Sequence, residues 1–260
     1  MLRAYCDTFM KYRFLLSNLI VRDLKVKYRR SILGVLWSLL NPILMMLILT
    51  AVFSRVFRYS IPNLPLYIIS GQTLYTFFSE ATTSANYSII DAASLIKKVY
   101  IPKYIFPLEK MLFAFVNLGF SLSAIAVMLV IFRIPLSWSM LLFPIPLISM
   151  LGFAIGFGMI LSALCVFFRD LKHLYSVMIM AWMYMTPIIY PMSTLDGSWL
   201  KYVALVNPLT WYIEYFRAVV MYGQFPTLEM NLICIGYALV FLFLGFWVFK
   251  RTQDKFILYI

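Results

Sequence analysis

Few residues of this chain are of a type that does chemistry, and they are scattered. Glu80 is an acid inside a long apolar run, about 14 residues in from Leu66. At 1.5 Å per helical residue that is roughly 21 Å deep in a bilayer. An ionisable group at such depth marks a functional site by default, although a hydrogen-bonded structural carboxylate fits the same position. Glu214 and Arg217 stand at i and i+3 and can pair on one helical face. His173 is the single histidine, and Cys6, Cys165 and Cys234 are far apart with no CxxC. The cysteines read as small apolar fillers, so metal sites and His-activated nucleophiles have almost no material. There is no GxxxxGK[ST], no H-E-x-x-H and no G-x-S-x-G, which excludes P-loop binding of ATP. Aromatic rings are the richer resource, with 23 Phe, 18 Tyr and 6 Trp. Ring faces suit the CH-rich faces of sugars, and Tyr and Trp add a polar edge. Phe53, Tyr75, Phe78, Trp182, Tyr184 and Tyr190 are therefore candidates to line a pore along which a sugar chain slides. The competing reading for each is plain packing or contact with lipid.

The elements that would hold these residues are membrane helices. The chain is 63% apolar and only 12% charged, with a mean hydropathy of +0.90. That excludes an ordinary soluble domain, a disordered chain and a disulfide scaffold. Runs long enough to cross a bilayer occupy 31–54, 66–90, 111–132, 145–168, 173–192 and 230–249. The expected fold is all-α and polytopic: a single transmembrane domain over 1–260 with six spans. Residues 196–226 are apolar but interrupted, and read as two short helices joined near Asn207-Pro208. They are expected to dip into the membrane and return as a re-entrant hairpin, the alternative being two helices lying flat at the interface.

Residues 9–30 form an amphipathic surface helix. Lys11, Asn18, Arg22, Lys25 and Arg29 share one stripe, with Phe9, Leu16, Ile20 and Leu24 roughly opposite. Arg13 and Lys27 fall on the apolar side and must snorkel. Arg22, Lys25, Arg29 and Arg30 would then face anionic head groups, either as a topology anchor or as a reception point for an anionic lipid substrate. Gly34 permits the reversal into the first span, Leu33 precedes it, Trp37 suits the polar–apolar boundary, and Pro42 would kink the span. Six spans put both ends on one side. Seventeen of the 22 Lys and Arg fall on that side, which makes both termini cytoplasmic and accounts for the basic charge without nucleic acid. The short inner loops carry Lys97, Lys98, Tyr100, Ile101 and Pro102, and Arg169 and Asp170. Their mixture of charge and apolar anchors suits docking onto a cytoplasmic partner and membrane-edge anchoring equally.

An ordered set of short motifs carries a family likeness. Arg22-Asp23-Leu24-Lys25-Val26-Lys27-Tyr28, then Leu33-Gly34, Trp37 and Asn41-Pro42, resembles the ABC-2 type permeases that export polysaccharides. Phe167-Phe168-Arg169-Asp170-Leu171, Thr186-Pro187-Ile188-Ile189-Tyr190 and Asn207-Pro208 continue it across nearly the whole chain. The resemblance implies the transport subunit of an exporter of O-antigen, capsule or teichoic acid in a bacterial inner membrane, not an enzyme in itself. It implies a homodimer bound to two copies of a separate ATPase, with ATP and Mg held there and no cofactor in this chain. The loops with Lys97 to Pro102, and Arg169 and Asp170, would take up the ATPase stroke. The Leu33-Gly34 turn would meet the pyrophosphate of an undecaprenyl-linked glycan at the cytoplasmic gate. Aromatics of the first and fifth spans would line a pore between protomers. Asn207, Pro208, Trp211, Glu214 and Arg217 would belong to the outer gate. The alternatives are a permease of the same fold for a drug or small lipid, and a membrane-embedded glycan-synthesis enzyme. The enzyme would need a polar loop of carboxylates, and the acids here are scattered.

Overall fold

The structure is a computed structural model that describes residues 2–29, 32–54 and 61–260, with side chains from Met10 onward. Arg30, expected at the cytoplasmic gate, and the side chains of Cys6 and Phe9 lie outside the described residues. The described residues are helical, with no strand. The order is α1 (Leu2–Tyr28), α2 (Leu36–Phe53), α3 (Leu64–Asp91), α4 (Ala93–Ile96) and α5 (Ile105–Ile131), then α6 (Pro144–Phe167), α7 (Leu171–Met185), α8 (Leu200–Val206), α9 (Pro208–Val220) and α10 (Leu228–Thr252). Short 3₁₀ turns cover Trp138–Leu142, Met192–Leu195 and Gln253–Leu258.

Four of these stretches are long and apolar enough to cross a membrane: Leu36–Phe53, Ile105–Ile131, Trp138–Phe167 and Leu228–Leu258. The sequence leads one to expect six, and the two that differ do so for separate reasons. Helix α3 has 28 residues, ample length, but a polar stripe along one side lowers its hydropathy. Helix α7 has 15 residues and stops at Met185 instead of running on to 192. At 1.5 Å per residue it spans roughly 22 Å, short of the ~30 Å hydrocarbon core. Its end is set by Pro187, which disfavours helical backbone at the residue before it. Thr186 is accordingly extended, at ψ 133°.

Helix α3 is the central element, packed against α2, α5 and α6, while α6 lies along α10. The α6–α10 crossing is a direct backbone contact. A Cβ on Gly156 would fall 2.1 Å from the Phe241 backbone, and one on Gly245 would fall 2.2 Å from the Gly156 carbonyl oxygen. Small residues of this kind allow membrane helices to approach closely where no water-driven force joins them. The core beside this crossing is aromatic: Phe153 stacks on Phe78 at 5.3 Å and meets Phe241 edge-on at 4.8 Å. At the junction of α1 and α2, Gly34 takes a left-handed φ of 49°, the backbone freedom expected of it.

Candidate functional site

Beside α3 the packing opens. A chamber of about 830 Å³ lies between α1, α2, α3 and α5. Its α3 wall is formed by Gln72, Thr73, Thr76, Ser79, Glu80 and Thr83. These positions recur at three- and four-residue steps and so share one helical face. The facing walls contribute Trp37 and Asn41 of α2, and Asn117 and Ser121 of α5. Helix α1 closes one end. Lys27 Nζ pairs with Glu80 Oε1 at 2.8 Å, and the Tyr28 hydroxyl donates to Asn117 Oδ1 at 3.1 Å. Lys27, itself exposed, thus reaches the half-buried Glu80 across 53 positions of sequence.

Several polar atoms of these walls have no partner among the described residues: Gln72 Oε1 and Thr73 Oγ1 of α3 and Asn117 Nδ2 of α5. Thr73 is only 4% exposed and Asn117 only 3%. A hydroxyl or amide buried without a bond costs roughly 1–3 kcal/mol in proteins. Such groups gathered around an open volume are suited to a hydrogen-bonding ligand.

One turn back along α1, Asp23 is held by Arg22 at 2.7 Å and by Lys110 of α5. Burial pushes the Asp23 carboxyl up, but the hydrogen bonds from Lys110 and Arg22 outweigh it and hold the group below its usual range. The basic face of α1 is therefore partly engaged within the protomer. Arg22 keeps 58% of its side chain exposed. Lys25, Arg29 and Gly34 line a separate shallow groove with Phe120. Leu33 is exposed, and Trp37 is exposed while also reaching the chamber wall.

The aromatics separate into distinct settings. Tyr75 is buried, lines the chamber and donates its hydroxyl to the Ile179 carbonyl of α7. Phe78 is fully enclosed between Phe153, Phe157 and Trp182, so its place is the protomer core. Trp182 donates to Asn207 Oδ1 at 2.9 Å. Tyr184 is 65% exposed on α7, and its carbonyl accepts the Tyr190 hydroxyl at 2.7 Å. Phe53 sits at the edge of the apolar core.

Near the start of α3, just before the chamber wall begins, lies a polar centre of another kind. Asn207 caps α9 by accepting from Leu209 N–H at 3.0 Å and donates to Thr186 Oγ1 at 2.8 Å. It stands at the joint between α8 and α9, with Pro208 as the first residue of the second helix. Trp211 Nε1 donates to the Leu205 carbonyl at 2.7 Å. Nearly two helical turns beyond Trp211, Arg217 is completely buried. Its guanidinium donates to Glu214 at 2.7 Å, Pro187 O at 2.8 Å, Ile188 O at 2.9 Å and Tyr67 O at 3.0 Å. It also lies 3.4 Å over the Tyr67 ring. The Glu214–Arg217 pair expected from spacing is present, and the structure adds what spacing does not show. Arg217 joins α9 to the start of α3 and to the bend of backbone after α7.

The two expected coupling loops meet a common element. Lys103 Nζ donates to the Gln253 carbonyl at 2.5 Å, and Arg169 Nη2 donates to the Tyr259 carbonyl at 3.1 Å. Phe167 packs edge-on against Phe256 and Tyr259. Lys97, Lys98 and Asp170 are exposed, and Tyr100 is 93% exposed. Ile101 and Pro102 are half-buried beneath them.

Lys27, Tyr28, Gln72, Thr73 and Asn117 were not singled out by residue type. A signal was available for α3, because its polar residues keep helical spacing within an apolar run. None exists in sequence for Lys27, whose partner is set by the docking of α1.

Four apolar helices of membrane-crossing length among the described residues, two of which, α2 and α5, wall the chamber, define a multi-pass membrane protein. Comparison with known proteins makes this specific. Residues 15–221 match the ABC-2 type transporter family, and the chain belongs to it. It is 31% identical over 247 residues to the O-antigen export system permease protein RfbA of Myxococcus xanthus, covering 95% of each chain. It is 32% identical over 258 residues to the protein of the same name from Klebsiella pneumoniae, covering 95% of this chain and 97% of that one. Similarity extends at 23% identity over 257 residues to the polysialic acid transport protein KpsM of Escherichia coli, covering 91% and 92%.

Proposed function

We propose that this chain is the membrane permease subunit of an ABC transporter that exports a polysaccharide across the cytoplasmic membrane. The observation that carries the reading is near-full-length similarity to O-antigen export permeases together with membership of the ABC-2 family. The chamber agrees with it. A hydroxyl-rich chain cannot dissolve in hydrocarbon, where each unpaired polar group costs roughly 4–8 kcal/mol, so it needs a polar route. Membership of the family implies a separate ATPase as the source of work.

The finer features belong to the same proposal. The chain works as a homodimer with two ATPase copies, which bind the ATP and Mg. Helices α3 and α7 complete six spans, and α8 and α9 form a re-entrant hairpin at the outer gate, with Asn207, Pro208, Trp211, Glu214 and Arg217. Both ends face the cytoplasm. Arg22, Lys25, Arg29, Arg30, Leu33, Gly34 and Trp37 receive the head group of a lipid-linked glycan. Lys97, Lys98, Tyr100, Ile101, Pro102, Arg169 and Asp170 transmit the ATPase stroke. Phe53, Trp182, Tyr184 and Tyr190 contact the moving chain, with Tyr75 at the chamber wall. The test is deletion of the gene in its own host. Loss of surface polysaccharide with lipid-linked glycan accumulating inside is expected. Unchanged surface glycan, or loss of the glycan without accumulation, contradicts export.

A further inference from the structure

The charge and the free polar atoms of the chamber narrow the sugar it can take. We propose that the chamber between α1, α2, α3 and α5 is a subsite, within each protomer, for neutral, hydroxyl-rich sugar residues, and that it discriminates against carboxylated ones. This rests on the export reading above and adds the substrate class.

Three observations carry it. Among the described residues, the only lining residues with formal charge are Lys27 and Glu80, and they neutralise each other at 2.8 Å. An incoming carboxylate finds no unmatched cation among the described lining residues, and must approach Glu80. An unpaired charge in a partly desolvated space is strongly disfavoured. The unpartnered atoms are also of mixed kind. Asn117 Nδ2 is a donor, Gln72 Oε1 an acceptor and Thr73 Oγ1 either. A sugar hydroxyl both donates and accepts and can satisfy all three, whereas a carboxylate only accepts and would repel Gln72 Oε1. Finally, Trp37 brings exposed aromatic surface to the same walls, next to the buried rings of Tyr75 and Phe77, and is suited to the CH face of a pyranose ring. The volume of about 830 Å³ lies within the ~300–1,000 Å³ of small-molecule sites, room for a short run of rings.

The test uses the full chain in nanodiscs and two tetrasaccharides of matched ring number, maltotetraose and tetragalacturonate. Binding is measured by calorimetric titration. Maltotetraose is expected to bind about ten-fold more tightly, the scale of one charge-related contact. Thr73→Val keeps the shape and removes one hydroxyl, and should weaken maltotetraose about five-fold, the value of one ordinary hydrogen bond. Glu80→Gln releases Lys27 and should strengthen tetragalacturonate about ten-fold. Thermal unfolding of each variant shows that it is folded. Equal binding of the two sugars, absence of binding by either, or folded variants that bind as the parent does would overturn the inference. Gene deletion separates this failure from failure of the export reading. If surface polysaccharide is lost on deletion while these binding results fail, only the chamber assignment falls.

Discussion

The two polar centres flanking α3 are built on opposite terms. At Arg217 a full charge is completely buried, yet each donor has an acceptor close by, drawn from α3, the backbone after α7 and Glu214. In the chamber the polar groups, apart from the Lys27–Glu80 pair, are neutral amides and hydroxyls, cheaper to bury, yet three of their atoms have no partner among the described residues. A buried polar group that is wholly satisfied fixes geometry, because any movement breaks several bonds together. One left unsatisfied beside open volume gains from an incoming ligand. Polarity inside a membrane helix bundle therefore has two meanings, and the count of partners separates them.

Substitutions at Arg217 should be the most damaging. Arg217→Met strips Glu214 and three carbonyls of their donor, and removal of one partner of a buried pair costs about 3–5 kcal/mol. A large fall in unfolding temperature of the detergent-purified chain, or loss of folded protein, is expected. Arg217→Lys should recover little, since an ammonium cannot reproduce the planar fork. Next comes Gly71→Ala. A Cβ there would lie 2.5 Å from Arg217 Nη2, and the guanidinium is too well held to yield, so overpacking should cost about 1–3 kcal/mol in the same assay. Tyr67→Phe removes the hydroxyl that donates to the Tyr190 carbonyl at 3.1 Å and should cost about 1 kcal/mol. Thr73→Val should leave stability within about 0.5 kcal/mol of the parent, because it removes an unpartnered hydroxyl, while export of glycan falls. A Thr73→Val loss as large as that of Tyr67→Phe would erase the distinction between the two centres.

The membrane character, a helix through the basic N-terminal stretch, the turn at Gly34 and the paired short helices at Asn207-Pro208 were legible in sequence, since each rests on local composition or on a residue with restricted backbone. The early end of α7 was legible in principle at Pro187, but a hydropathy run continues through a break that ends a helix. Contacts between distant segments were not legible. The partner of Glu80 is Lys27, which local periodicity places on the apolar side of α1, where snorkelling is the natural reading. Only the docking of α1 against α5 brings that residue within reach of α3 and turns it into an ion pair. The Glu214–Arg217 pair followed from spacing, whereas the carbonyls of Tyr67, Pro187 and Ile188 around the same guanidinium depend on tertiary approach. Phe78 illustrates the converse: an aromatic in a span is equally a pore or a core residue until its neighbours are placed, and here they enclose it.

The central claim is that this polypeptide provides the route and another supplies the energy. The most direct measurement is reconstitution into proteoliposomes of the purified chain, with and without the ATPase subunit from its own host, loaded with lipid-linked glycan. ATP-dependent delivery of glycan to the far side is expected only when both are present, with no hydrolysis by the permease alone. ATP hydrolysis by the permease by itself, or a coupled complex that moves no glycan, would contradict the account.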